Sequence, residues 1–280
     1  MRLQSLRNLT RPYAYWLGRS AVELSRLSGR TGRLPDFFIL GAQKAGTTTL
    51  YDVLCQHPEI HPARTKELAY FDRYHGRGLG WYKANFPSDG GLTGEATPDY
   101  LFDPDARARI VETLPKAKFI VLLRNPVDRA ISQYFHAKRL GYETLSFEEA
   151  LRQEAYRTLE HGKRFTGNPI EGRRYFHAYS YFARGDYATQ LDAWFKAVGH
   201  DRFYVEFSDR FFAEPDSVAR EIFSFLGLRE DVELDVRPRN IGRYTSKVSS
   251  EVYNALSASY APTYERLADI LNRPVPWASS

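Results

Sequence analysis

The sequence contains one cysteine, Cys55, so no disulfide can form within the chain. Its cysteine usage therefore gives no sign of an oxidising compartment. No stretch approaches the roughly 18 consecutive apolar residues of a membrane-spanning helix. The N-terminal region also lacks the uninterrupted apolar core of a signal peptide. From these absences we expect a soluble, cytoplasmic protein with no transmembrane segment.

Metal-ligand spacing is also missing, because the 7 histidines are scattered along the chain. We therefore expect no metal site. The charge excess is small, with 39 basic against 34 acidic residues and a net charge of +5. Such a balance favours an anionic ligand, but by itself it does not choose between a nucleotide, nucleic acid and a membrane surface.

The chain divides into a basic N-terminal segment, residues 1–34, and a single domain, residues 35–280. Leucines recur in the segment at loosely helical spacing between arginines. An amphipathic helix of this kind docks on its own domain or lies on an anionic membrane. Peripheral membrane contact through residues 1–30 is therefore one expectation for the segment, and docking or partial disorder is the other.

Three apolar runs, residues 37–40, 119–123 and 203–207, have the pattern of buried strands. A helical pattern follows each run, over residues 47–57, 126–140 and 216–226. This alternation predicts an α/β domain with a central parallel sheet flanked by helices. Two more helices are predicted over residues 187–198 and 249–271, the second broken near Pro262.

The motif GAQKAGTTT, residues 41–49, lies between the first predicted strand and its helix. Small residues allow the backbone to wrap around an anion, and the helix N-terminus favours negative charge. In a Walker A loop a lysine follows the second glycine, but here Thr47 occupies that place. Lys44 lies three residues earlier, which suits a shorter anion with the lysine beside a single bridging oxygen.

A second candidate anion site follows the strand 119–123, where Arg124 stands at the carboxyl end and Ser132 eight residues further on. Open parallel sheets bind ligands at this edge. Arginine supplies a two-pronged donor for phosphate and serine a single donor. We expect Arg129 and His136, on the same stretch, to be solvated or to support these two.

The motifs PDFFILGAQKAGTTTL and FIVLLRNPVDRAISQYFH together resemble the sulfotransferases that use 3'-phosphoadenosine 5'-phosphosulfate (PAPS). The resemblance is greatest to the heparan sulfate N- and 3-O-sulfotransferase branch and its bacterial relatives. It implies a phosphate-loop, nucleotide kinase-like fold and PAPS as co-substrate, with Lys44 assisting departure of the bridging oxygen. The implied donor-binding residues are Lys44, Ala45, Gly46, Thr47, Thr48 and Thr49 at the 5'-phosphosulfate, Arg124 and Ser132 at the 3'-phosphate, and Gly242 and Arg243 in a lid.

The segment TKELAYFD supplies the acceptor side of this resemblance. Glu67 is the implied catalytic base, which would take the proton of an acceptor hydroxyl or amine. O-sulfating relatives carry a histidine where Ala69 stands, and many carry a lysine where Ala96 stands. These departures bear on the acceptor and not on the donor. The expected acceptor is a hydroxyl or amine of a small molecule or a glycan, including a glycolipid.

Two other functions share parts of this pattern. A small-molecule kinase would need a Walker lysine and a carboxylate for magnesium. A non-catalytic module for an anionic ligand would explain the basic charge but not two phosphate sites at two strand ends. We expect no nucleic-acid partner. Alanine at Lys44 and Glu67 separates these functions, because a module that only binds would lose little beyond affinity.

Overall fold

The computed structural model describes residues 32–88, 90–163, 169–236 and 248–278. The expected amphipathic helix and the lid residues Gly242 and Arg243 lie outside these ranges, and the division at residue 34 stays a prediction. Among the helices that are described, none combines the length and apolarity needed to cross a bilayer.

Four parallel strands form the central sheet in the order β2-β1-β3-β4. They are β1 (Phe37–Gly41), β2 (Gly94–Ala96), β3 (Lys118–Leu123) and β4 (Phe203–Phe207). The parallel sheet and its three apolar strands confirm the prediction. From β1 the chain passes to one side to form β2 and then crosses to the other side to form β3. This change of direction opens a crevice at the carboxyl ends of β1 and β3.

Ten helices connect and cover these strands in the described part of the chain. In chain order they are α1 (Thr47–Leu54), α2 (Leu79–Lys83), α3 (Pro104–Thr113), α4 (Pro126–Arg139), α5 (Phe147–Lys163), α6 (Pro169–Tyr179), α7 (Tyr187–Val198), α8 (Ser208–Ala213), α9 (Pro215–Leu226) and α10 (Ser250–Leu271). Short 3₁₀ turns occupy His75–Arg77, Ala183–Gly185 and His200–Arg202.

Helices cover both faces of the sheet, as continuous apolar strands require. On one face the Phe119 ring lies 5.2 Å from the indole of Trp194, a fully buried residue of α7. On the other face the Lys118 ammonium lies 5.0 Å from the ring centroid of Phe225 in α9. Successive residues of β3 therefore contact different helical layers, and the core lies on both sides of the sheet.

Helix α4 begins immediately after β3 because its first two residues suit a helix start. The Asn125 side chain accepts hydrogen bonds from the backbone N–H groups of Val127, at 2.9 Å, and Asp128, at 3.4 Å. Pro126 stands at the first helical position, where its missing N–H costs nothing. This tight start brings the first turns of α4 to the crevice edge.

The predicted break at Pro262 is wrong, because α10 runs without interruption from Ser250 to Leu271. Proline removes the helical donor for the carbonyl of Ala258, and both residues lie on the exposed face of the helix. Water can satisfy that carbonyl there. Tyr260 and Leu267 are fully buried on the opposite face and hold both halves of the helix against the core.

Candidate active site

The loop between β1 and α1 is held on several sides by hydrogen bonds. The backbone N–H of Ala42 donates to the carbonyl of Leu122 in β3 at 2.7 Å. The Ser208 hydroxyl donates to the carbonyl of Ala45 at 2.7 Å. Lys44, at the middle of the loop, adopts a left-handed backbone conformation with φ of 71°. The loop is therefore a fixed structure with Lys44 at its turn.

Helix α1 starts at Gly46 without a side-chain cap, as expected where a ligand takes the place of the cap. The first-turn N–H groups and the helix dipole then favour an anion. Thr47 and Thr49 are buried beside this terminus, whereas Thr48 is partly exposed. The arrangement agrees with the phosphate loop predicted from residues 41–49.

Gly46 has φ of 99°, a conformation that strains any residue with a Cβ. A Cβ at this position would also lie 2.6 Å from Cζ of Phe212. We expect Gly46→Ala to lower the free energy of unfolding by about 1–2 kcal/mol, as measured by urea denaturation. Gly76→Ala is the control, because its added Cβ meets no atom within 4 Å. Equal stability of both variants would contradict this account of the loop.

Arg124 reaches back from the end of β3 to the phosphate loop. Its Nη1 donates to the carbonyl of Lys44 at 3.1 Å, and its own carbonyl accepts from the Tyr187 hydroxyl at 2.9 Å. Tyr187 is fully buried at the start of α7. The two predicted phosphate sites are therefore neighbours, joined directly through the Arg124 guanidinium.

Glu67 reaches the same crevice from the other side. Its backbone N–H donates to the carbonyl of Ala96, at the end of β2, at 3.2 Å. The carboxylate accepts from the Lys66 ammonium at 2.7 Å, and about half of the side chain (52%) is exposed. The expected base is thus anchored by its backbone to the sheet while its carboxylate stays accessible.

The charges of the crevice act on one another, and this shows that the predicted residues converge. The pKa of Lys44 is lowered by burial and then by repulsion from Arg139 and Arg124, whereas attraction to Glu67 opposes the shift. Three cations and one carboxylate therefore lie within electrostatic reach of each other. Such a site is strongly electropositive and suits a polyanionic ligand.

Helix α4 contributes more to the crevice than the sequence indicated. Ser132, His136 and Arg139 follow at intervals of four and three residues, so they lie along one face of the helix. Arg139 was not predicted as a site residue. Arg129 is fully buried, where its guanidinium donates to Gln133 Oε1 at 2.6 Å and to the carbonyl of Tyr181. It supports the fold and is not solvated.

Beneath the acceptor segment lies the fully buried Glu95 of β2. Its carboxyl accepts from the hydroxyls of Thr97 and Tyr100, each at 2.7 Å, and from that of Tyr82. Burial raises the pKa of Glu95 to about 7, although these hydrogen bonds oppose the shift. Thr97 and Tyr100 in turn accept from the N–H groups of Ala69 and Phe71. This network braces the segment that carries Glu67.

A second buried network ties the same segment to the helical layer. Asp72, Asp99 and His177 place ligand atoms within 4.8 Å of one another, close enough to hold a metal ion. However, Arg184 donates to Asp99 at 2.7 Å, and Arg73 pairs with Asp72 at 3.3 Å. Because these guanidinium groups already neutralise the carboxylates, the cluster is suited to structural pairing and poorly suited to a cation.

Comparison with known proteins agrees with this geometry. The family model for the sulfotransferase domain matches residues 34–259. The membrane-associated sulfotransferase kil1 of Dictyostelium discoideum is 26% identical over 90% of this chain and 68% of its own length. Heparan sulfate glucosamine 3-O-sulfotransferase 6 of Homo sapiens is 33% identical over 77% of this chain, which spans 58% of that protein's length.

A solved structure supports the same grouping. The crystal structure of a sulfotransferase from Alicyclobacillus acidocaldarius superposes with a TM-score of 0.74 and is 29% identical, covering 89% of this chain and 100% of that chain. The chain belongs to the sulfotransferase domain family, and the resemblance that its two phosphate motifs implied is confirmed. Membership places it among enzymes of sulfuryl transfer with a phosphate-loop fold.

Proposed function

We propose that this protein transfers a sulfuryl group from PAPS to a hydroxyl or amine of an acceptor glycan. The observation that carries the proposal is the convergence of Lys44, Arg124 and Glu67 at the carboxyl ends of β1, β3 and β2. The first two match the 5'- and 3'-phosphate ends of the donor. The third is a carboxylate at the accessible side of the same crevice.

The donor would lie across the crevice from the phosphate loop to α4. Lys44, Ala45, Gly46 and the three threonines from Thr47 to Thr49 would bind the 5'-phosphosulfate through backbone N–H groups and hydroxyls. Arg124 and Ser132 would bind the 3'-phosphate. Gly242 and Arg243 remain proposed lid residues on the strength of the sequence alone.

The proposed reaction is a single in-line displacement at sulfur. The acceptor oxygen or nitrogen forms a bond to sulfur while the bond from sulfur to the bridging oxygen breaks. Glu67 takes the acceptor proton, and Lys44 with the loop N–H groups stabilises the charge that grows on the departing 5'-phosphate. The products are the sulfated acceptor and adenosine 3',5'-bisphosphate, so atoms and charge balance without a metal.

The glycan acceptor rests on the printed name of the heparan sulfate relative and on the electropositive crevice. At Ala69 the chain departs from O-sulfating relatives. This residue is buried and has φ of 51°. A hydroxyl and an amine therefore both remain within the proposal.

We also propose a reducing, cytoplasmic compartment for the domain. The single cysteine, Cys55, supports this, because the chain cannot form an internal disulfide.

Transfer of labelled sulfur tests the proposed function. Purified protein is incubated with [³⁵S]PAPS and either de-N-sulfated or partially de-O-sulfated heparin, and label on the polymer is counted. We expect label on at least one polymer, dependent on protein and abolished by excess adenosine 3',5'-bisphosphate. Label transferred from [γ-³²P]ATP with magnesium, without any from PAPS, would overturn the proposal in favour of a kinase.

Arg124 should set the preference for a donor that carries a 3'-phosphate. With Arg124→Ala we expect kcat/KM for PAPS to fall about 10-fold to 150-fold, because a charged hydrogen bond contributes roughly 1.5–3 kcal/mol. For adenosine 5'-phosphosulfate, which lacks that phosphate, kcat/KM should fall far less. Arg152→Ala is the control, since Arg152 is exposed and paired with Glu149 on α5. Equal losses for both donors would contradict the assignment of Arg124.

A further inference from the structure

One contact in the crevice fixes the hydrogen-bonding state of a histidine. Nη2 of Arg139 lies 2.9 Å from Nδ1 of His136. A guanidinium is a donor only and stays protonated in proteins. Nδ1 of His136 must therefore be the acceptor in this contact. The imidazole is then neutral and carries its proton on Nε2.

The charges around His136 favour the same state. Lys44 acts on it from the phosphate loop, Glu67 from the acceptor segment and Arg139 from its own helix. Burial, followed by repulsion from Lys44 and Arg139, lowers the pKa of His136 to about 4, although Glu67 opposes the shift. The ring therefore stays neutral throughout the physiological pH range.

Nothing in the described chain indicates that Arg139 is needed for folding. It is exposed near the end of α4, and no carboxylate within the described ranges pairs with it. By contrast, the buried Arg129 of the same helix is committed to Gln133 and Tyr181. Repulsion between Arg139 and Lys44 is unfavourable for stability, so the position of Arg139 suits a function better than it suits folding.

We propose that Arg139 is a positioning residue for sulfuryl transfer, which holds His136 as the neutral Nε2–H tautomer so that this ring donates a hydrogen bond within the crevice. The inference rests on the proposed function. The Nε2–H group of His136 would donate a hydrogen bond to an oxygen of the sulfuryl group being transferred. This oxygen would lie between Lys44 on the leaving side and Glu67 on the acceptor side. A neutral donor adds no further positive charge beside Glu67, whose carboxylate already pairs with Lys66, whereas an imidazolium would attract that carboxylate and reduce its basicity.

The state of His136 can be measured without any acceptor. In ¹⁵N-histidine-labelled protein with adenosine 3',5'-bisphosphate bound, two-dimensional NMR reports which ring nitrogen carries the proton and at what pH the ring titrates. We expect the Nε2–H tautomer with no titration above pH about 5. In Arg139→Met the pKa of His136 should rise but stay below its ordinary value of about 6.5, because burial and repulsion from Lys44 remain. Arg139→Lys should preserve the low pKa in part, because it keeps the positive charge.

Lys138→Met is the matched control, since Lys138 is an exposed cation one residue away that donates to the Tyr134 hydroxyl at 3.1 Å. It should leave both the tautomer and the titration unchanged. If wild-type His136 carries its proton on Nδ1, or titrates identically in Arg139→Met, the inference is overturned. That result would leave the proposed function standing, provided that wild-type protein still transfers label from PAPS.

Activity gives a second readout that a purely structural role would not produce. With Arg139→Met we expect kcat to fall about tenfold and the acid limb of the kcat/KM profile to move to higher pH. Adding His136→Asn should remove that shift, because the group that gained a proton is then absent. An unchanged acid limb in Arg139→Met, or a shift that persists without His136, would also contradict the positioning role.

Discussion

Replacing Lys44 with methionine lowers kcat for sulfuryl transfer about 10²-fold to 10³-fold, the usual loss when one preorganised donor to a developing charge is removed. Binding of adenosine 3',5'-bisphosphate falls much less, by no more than about tenfold. The loop N–H groups and Arg124 still hold the nucleotide. In the proposed mechanism the lysine contributes most when the bridging oxygen departs, so the loss should appear mainly in kcat. Single-turnover transfer from [³⁵S]PAPS and calorimetric titration measure the two quantities.

Lys116→Met is the control for this substitution, because Lys116 is an exposed lysine that lies beside the amino end of β3, away from the crevice. It should keep full activity. A Lys44→Met enzyme with unchanged kcat and only weaker nucleotide binding would show that the lysine merely binds the donor. It would also favour a module that binds anions without catalysis.

Glu67→Gln should lower kcat about 10²-fold to 10⁴-fold, the range attributed to a positioned general base. The amide keeps the size of the side chain but cannot take the acceptor proton. Donor affinity should hold within about threefold, since the carboxylate lies on the acceptor side and its partner is Lys66. Initial rates over a range of pH, with nucleotide binding measured alongside, test this prediction.

Glu59→Gln provides the matched comparison, because Glu59 is an exposed glutamate in the preceding loop. Two results count against Glu67 as the base. One is activity near the wild-type level in Glu67→Gln at every pH. The other is a loss explained entirely by weaker donor binding, which would make Glu67 a partner for Lys66 and Lys44 only.

Features set by neighbours in sequence were predictable. The phosphate loop depends on small residues between an apolar run and a helix, and α7 occupies Tyr187–Val198 as its apolar spacing predicted. Strand β2 was not predicted because it has only three residues, and its central Glu95 breaks the apolar pattern. That carboxyl is satisfied by hydroxyls from Tyr82, Thr97 and Tyr100, which a linear pattern does not reveal.

Contacts between distant elements account for the rest of the site. The carbonyl of Ala45 is held by the Ser208 hydroxyl, and that of Arg124 by the Tyr187 hydroxyl, across large separations in sequence. Arg139 follows Ser132 by seven residues, so helical spacing could have marked it as facing the same way. Its effect on His136 and Lys44 becomes evident only when the loop after β1 is packed beside α4.

Calorimetric titration of the wild-type protein with three nucleotides tests the central claim most directly. The ligands are adenosine 3',5'-bisphosphate, AMP, and ATP with magnesium. A crevice built for PAPS binds the bisphosphate tightly and AMP at least about tenfold more weakly, because the 3'-phosphate engages Arg124. Tight binding of ATP with magnesium, together with no binding of the bisphosphate, would contradict the assignment of PAPS as the donor.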